Sequence, residues 1–286
     1  MRNCHNILIS NKIYLFFLFL LLTNQNFAQE NQKPDSLSNA ETSNLLMLSL
    51  SYTSNNMKTK NYEYDRIPAI LTNISFFSKK GFFGALDYTK FYLAKQNTYE
   101  AELQFGYQKS FFKNLHLQTN FARRTFVGDT TYEGLAQKNT LALDANYTWK
   151  FLDFQVSNSF LNGKSNNYFL DLDLSASIDF DNLLTENDFL LINPTVSTSF
   201  GTDNWIFQNM SPAFENIVVN YLSRNGFESH TFEYQSFNIY VPIIYNIGNW
   251  GFMFNWFYSW PSAKLSKLSW QDQSGVLVSV YFTPKI

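Results

Sequence analysis

The chain has 286 residues, with 21 basic and 23 acidic side chains, a formal net charge of −2 and no basic patch, which excludes nucleic acid as a partner. Aromatic residues reach 19% while charged residues make up only 15%, against roughly 25% in an average soluble domain. The only cysteine, Cys4, precedes the first apolar segment, so a processed chain has neither disulfides nor thiolate metal centres.

Residues 1–28 read as a signal peptide. Arg2 and Lys12 supply a positive leading region, and Ile13 to Leu22 form an apolar run of ten residues. That run is too short for a membrane helix but suits a secretory leader, with cleavage expected after Ala28. Residues 29–43, QENQKPDSLSNAETS, are polar and are expected to form a flexible periplasmic arm. The remaining chain, 286 − 28 = 258 residues, holds no apolar run near the roughly eighteen residues a transmembrane helix needs.

From Asn44 onward the pattern is period two, the signature of extended strands with two distinct faces. Strand one, 44–54, sets Leu46, Leu48, Leu50 and Tyr52 against Met47, Ser49, Ser51 and Thr53. Strands two and three fall at 67–77 and 82–91. Strand four, 98–109, alternates Tyr99, Ala101, Leu103, Phe105 and Tyr107 with Glu100, Glu102, Gln104, Gly106 and Gln108. Strands five to nine fall at 115–126, 138–150, 152–161, 168–180 and 189–201. Strands ten and eleven form a hairpin from Phe237 to Trp260. Its second arm carries Trp250, Phe252, Phe254, Trp256, Tyr258 and Trp260 on one face, a row of six aromatics suited to lipid, with Asn255 on the other face. Strand twelve is 275–284. Pattern boundaries are loose, and ten or fourteen strands remain open.

Short connections at 78–81, 111–114, 150–152, 181–188 and 247–249 alternate with longer ones at 57–66, 92–97, 128–137, 162–167, 202–233 and 261–274. Short periplasmic turns alternating with longer extracellular loops are an outer-membrane trait. The predicted fold is therefore all-β: a transmembrane antiparallel up-and-down β-barrel of twelve strands (range 10–14) over residues 44–286, with one helical segment in a long loop.

This pattern resembles the bacterial outer-membrane β-barrel proteins as a broad class. The last strand, with Val276, Val278, Val280 and Phe282, resembles the terminal strand that the barrel-assembly machinery reads, although Pro284 interrupts it and Ile286 replaces the usual terminal aromatic. The resemblance implies an outer-membrane location in a didermic bacterium, both termini periplasmic, membrane lipid as surroundings, and the assembly machinery and periplasmic chaperones as partners during biogenesis. No cofactor and no metal are expected.

The inward face is rich in acids. Glu100, Glu102, Asp144, Asp171 and Asp173, with Arg124, are the candidate pore-lining residues; Asp153, Asp179, Lys150 and Lys138 are expected on the same inward face. Arg124 is expected to pair with Glu100 or Glu102. In the long loop, SPAFENIVVNYLSRNG reads as a helix capped by Ser211, with Pro212 in its first turn and Gly226 past its end. Phe214, Ile217, Val218, Tyr221 and Leu222 fall on one stripe, the candidate lid or plug. The resulting reading is a narrow passive channel or a structural, surface-exposed wall protein. The alternative is a barrel hydrolase, lipase or protease, for which His116, His230, Ser229 and Asp203 are the only material. Ser229 and His230 are adjacent in sequence, so their side chains point apart on extended chain and make a poor dyad.

Overall fold

The computed structural model describes residues 44–56, 67–92, 94, 97–129, 137–186 and 188–284. The expected leader and arm, and the tail from 285, lie outside the described residues.

Twelve antiparallel strands close into one barrel. They are β1 (Leu45–Thr53), β2 (Ala69–Phe77), β3 (Phe82–Phe91), β4 (Tyr99–Phe111), β5 (Leu115–Val127), β6 (Gln137–Trp149) and β7 (Leu152–Gly163). Next come β8 (Asn167–Ala176 continued by Ile178–Asp181) and β9 (Asp188–Ile192 continued by Thr195–Thr202). The last three are β10 (Phe232–Ile247), β11 (Trp250–Pro261) and β12 (Gln273–Phe282). Each strand pairs with the next, and β12 returns to β1 in the register Leu48↔Phe282 to Thr53↔Leu277. Closure leaves no open sheet edge, as a β-structure in lipid requires.

Two strands read as continuous in the sequence are each broken once, and prolines explain one break. Asn193–Pro194 on β9 lies opposite the Val241–Pro242 step of β10. Proline has no N–H to give a ladder, so β9 is interrupted there. The Asn193 N–H still reaches the Pro242 carbonyl at 3.0 Å. Near the loop end a bulge between Ser199 and Phe200 leaves Gln235 as the extra residue on β10.

The five short connections and the described chain termini share one rim, here the turn end; the longer connections share the other, the loop end. Outward positions carry the apolar side chains. On β11, Trp250, Phe252, Phe254, Trp256 and Trp260 are exposed, and Leu48, Leu50, Leu103, Phe105, Leu141, Leu143 and Val278 continue that belt around the wall. A broad apolar outer band on a closed barrel is the surface a membrane wall presents to lipid. The fold is that of an outer-membrane β-barrel.

Helices occur only in the loops among the described residues: α1 (Asn204–Phe207) and α2 (Pro212–Arg224) between β9 and β10, and α3 (Ala263–Lys267) between β11 and β12. The α2 bounds follow the sequence signals. The Ser211 hydroxyl accepts the Phe214 N–H, Pro212 opens the helix, and Gly226 follows with φ +81. Ser262 caps α3 in the same way through the Leu265 N–H.

Candidate functional site: the lumen and its crown

The inward faces divide into three zones. At the turn end the lumen is apolar: Leu191, Ile244 and Met253 cluster with Phe189, Leu277 and Tyr281, and Phe77 stacks on Phe83 at 5.9 Å. Two glycines make room for the rings. A Cβ at Gly106 would meet the Phe83 ring at 2.2 Å, and one at Gly251 would meet the Tyr281 ring at 1.9 Å. An alternation that reads simply as polar-in therefore misses an apolar floor. Its outward and inward residues on β10 and β11 are both hydrophobic, so composition could not separate them.

The middle of the lumen is polar and hydrogen-bonded across strands. The Asn73 amide donates to Asp87 at 2.8 Å. The Gln104 amide donates both to Asp87 at 2.9 Å and to Glu102 at 2.8 Å. Arg124 forms the expected ion pair with Glu100, 2.8 Å apart and buried on both sides. Further round, Asp144 faces Ser157 across the β6–β7 ladder, and Ser157 faces Asp171 across β7–β8. Asp173 lies beside Ser197 of β9. Asp144 and Asp173 are buried, whereas Glu102 and Asp171 keep part of their surface open. On the β9–β11 side the polar residues are packed away: Thr195 and Asn255 are fully buried, and the Asn255 side-chain oxygen accepts the Val241 N–H at 3.1 Å.

The residues proposed from the sequence are thus brought to one wall, and that wall is acidic. Asp87, on the same inward face of β3 as Phe83, Ala85 and Thr89, belongs to it; that strand carries aromatic rings on both faces, so alternation does not set Asp87 apart in the sequence. Lys150 does not belong: it sits in the β6–β7 turn with φ +60 and its ammonium over the Trp149 ring at 5.1 Å. Lys138 is exposed, beside a register shift between Gln137 and Asn139. Asp153 is held by Thr148 at 2.6 Å and Ser177 at 3.2 Å near the turn end. Asp179 lies exposed beyond the end of β7. Among the described residues no group of three or more His, Cys, Asp or Glu could hold a metal ion.

The loop end carries an apolar crown. Leu161 and Phe169 point inward from β7 and β8, and Trp205, Ile206 and Phe207 of α1, Val218 and Leu222 of α2 and Leu265 of α3 pack on them. Trp205 meets Trp270 edge to face at 4.8 Å. The five-residue stripe expected on α2 is split. Val218 and Leu222 enter the crown, while Phe214, Ile217 and Tyr221 are exposed. A helix lying on a convex crown buries a narrower arc than its apolar positions span.

A buried charge cluster ties the crown together. Lys264 of α3, almost fully buried, lies 2.5 Å from Asp203, and it also donates to Glu233 and to the Glu228 carbonyl. Asp203 in turn accepts the Thr231 N–H at 2.8 Å. One lysine thereby joins the β9–β10 and β11–β12 loops. It has no local sign in the sequence, because its partners lie 61 and 31 residues away, one in a loop before α1 and one at the start of β10.

His230 is at the crown surface with φ +60. Its ring lies against Phe207 at 4.6 Å, with Nδ1 3.2 Å from Asn204 and Nε2 3.3 Å from Glu215. The Ser229 hydroxyl is buried and makes no hydrogen bond. His116 is half-buried near the turn end beside Ser110 at 3.2 Å.

No protein-family model matches the chain, and no curated protein matches it. Among solved structures it is similar to KdgM porin, at 9% identity over 84% of this chain and 99% of that one, with a TM-score of 0.48. It is similar to NanC porin at 7% identity, 84% and 100% coverage and a TM-score of 0.44. It is also similar to LpxR from Salmonella typhimurium, at 9%, 82% and 99%, with 0.43. At these values the likeness is one of overall barrel shape.

Proposed function

We propose that the protein is a narrow passive channel of the outer membrane, closed at rest by its crown and favouring small cations when open. Both termini and the short turns lie on the periplasmic side, and the crown faces outward. The observation that carries this reading is the roof. Lumen-facing Leu161 and Phe169 are the base on which α1, α2 and α3 pack, so the crown sits over the mouth of the lumen. A structure serving only as a wall needs no such apolar seal across its own opening. The acidic wall below it supplies the charge preference, as rings of carboxylates do in cation pathways. His230 is engaged with Glu215 and Asn204, and Ser229 makes no bond to it, so these two residues do not form a nucleophile–base pair.

The test is conductance in planar bilayers. The intact protein is expected to conduct poorly. Deleting residues 211–226, which removes α2 and with it Val218 and Leu222, is expected to raise conductance severalfold. Large steady conductance from the intact protein would show that the crown does not close the lumen. An unchanged trace after the deletion would leave α2 as packing alone.

A further inference from the structure

The turn end divides by charge. Three consecutive short turns and the strand end beside one of them carry five lysines, Lys79 and Lys80 at β2–β3, Lys109 near the end of β4 with Lys113 in the turn after it, and Lys150 at β6–β7, all exposed, with no carboxylate in 78–81, 109–114 or 149–151. The next turn round the rim is the reverse: Asp179, Asp181 and Glu186 are exposed there, with no base between 178 and 188. The cationic arc is one continuous piece. The Gln108 N–H donates to the Gly81 carbonyl at 2.8 Å, and the Thr148 N–H donates to the Asn114 carbonyl at 2.9 Å, which stitches each turn to its neighbour.

The same arc is apolar where it should meet water. Phe112 is 91% exposed and held at φ +59, and Phe151 is 60% exposed. Each continues the lipid-facing belt past the strand ends, from Phe111 and Trp149 respectively. The ammonium of Lys109 lies 5.2 Å from the Phe111 ring and that of Lys150 lies 5.1 Å from the Trp149 ring. Lys109 points outward from β4, so its ammonium reaches along the wall toward the turn end, as a lysine does at the edge of a bilayer. Aromatic rings at headgroup depth with ammonium groups beside them are complementary to a layer of lipid phosphates.

We propose that this arc, from the β2–β3 to the β6–β7 turn, is a docking face for anionic phospholipid headgroups of the leaflet at the turn end. Phe112 and Phe151 sit in the interface, and Lys79, Lys80, Lys109, Lys113 and Lys150 pair with the phosphates. Charge complementarity selects the anionic lipid. Continuity with the apolar belt selects a bilayer over a soluble acidic protein, which would meet the lysines without covering the rings. The acidic β8–β9 turn makes the preference local to one side of the barrel.

The proposal rests on membrane embedding, and one measurement separates the two. The full chain is reconstituted in phosphatidylcholine vesicles containing trace spin-labelled phosphatidylglycerol or phosphatidylcholine. The presence of motionally restricted lipid reports embedding. The ratio of association constants for the two labels reports the arc. That ratio is expected to favour phosphatidylglycerol by about two- to fivefold, the gain of roughly one lysine–phosphate contact averaged over the belt. It should collapse toward unity in high salt. Replacing the five arc lysines with glutamine should abolish the preference, whereas Lys138→Gln, Lys164→Gln and Lys267→Gln at the loop end should leave it intact. Phe112→Asp, a single change at an exposed site, should lower the preference on its own, and it serves if the fivefold variant does not fold. Restricted lipid with no preference in the parent protein, or a preference that survives the arc substitutions, overturns the proposal.

Discussion

Phe254 and Asn255 are neighbours on β11 and lie in opposite media. Phe254 is exposed on the outer belt, between Ile243 and Val278 of the flanking strands. Phe254→Arg places a charge in hydrocarbon, at a cost of about 2–4 kcal/mol near the midplane. A lumen position would ordinarily accept the same change cheaply, and the sequence alone predicts that for Asn255. The structure corrects it. Asn255 is fully buried and its oxygen holds the Val241 N–H, next to the proline that leaves β10 short of a donor. Asn255→Arg must displace neighbours and break that bond, so its penalty should approach that of Phe254→Arg, through overpacking, about 1–3 kcal/mol, and a lost acceptor. Asn255→Ala should also destabilise, by about 1–3 kcal/mol, because the Val241 N–H is left unsatisfied. Equilibrium unfolding in urea with lipid vesicles measures all three. A negligible effect of Asn255→Ala would remove the bond from the account.

The elements were legible in proportion to how local their signals are. Strands with one clean alternation, such as β1, β4 and β11, are legible on their own, and α2 is legible from a serine cap, a proline in the first turn and a terminal glycine. The crown's assembly was not legible, because it is made between segments far apart in the chain. Lys264 is the clearest case: in sequence it is one lysine in a polar connection, and only the fold brings it to Asp203 and Glu233. Lys264→Met should leave Asp203 buried without its cation, which costs about 3–5 kcal/mol when a buried pair is broken from one side. That cost falls on the crown, since β1–β12 are closed without it. The expected outcome is protease cleavage within 203–231 at concentrations that leave the parent intact, while heat-modifiable migration of the barrel persists. Adding Asp203→Asn and Glu233→Gln to Lys264→Met removes the stranded charges and should restore much of the protection. If the single variant is as resistant as the parent, the apolar contacts alone hold the crown.

For the whole molecule, the lumen is asymmetric, and conduction should follow the asymmetry. The β9–β11 side is packed with Thr195, Asn255, Ile244 and Met253, all buried, which leave little surface for water. The β4–β8 side keeps Glu102, Gln104, Ser157 and Asp171 partly open, and an ion path would run there, between the roof and the apolar floor. Along that side Arg124 is the inward base set against several acids, and its charge is already matched by Glu100 at 2.8 Å. The residual field belongs to Asp87, Glu102, Asp144, Asp171 and Asp173. Carboxylates close to a narrow, low-dielectric path raise the local concentration of cations and repel anions. In the crown-deleted protein, a tenfold potassium chloride gradient should therefore give a reversal potential of the sign for cation preference. Asp171→Asn with Glu102→Gln should move that potential toward zero, and Asp144→Asn and Asp173→Asn, being more deeply buried, should move it less. Arg124→Gln should act in the opposite sense, by freeing the Glu100 charge, provided the variant still folds. Rising salt on both sides should weaken the preference, because screening shortens the reach of the carboxylates to a few ångströms at about 1 M. An anion preference, or a reversal potential that ignores the Glu102 and Asp171 substitutions, would place the path elsewhere than along the acidic wall.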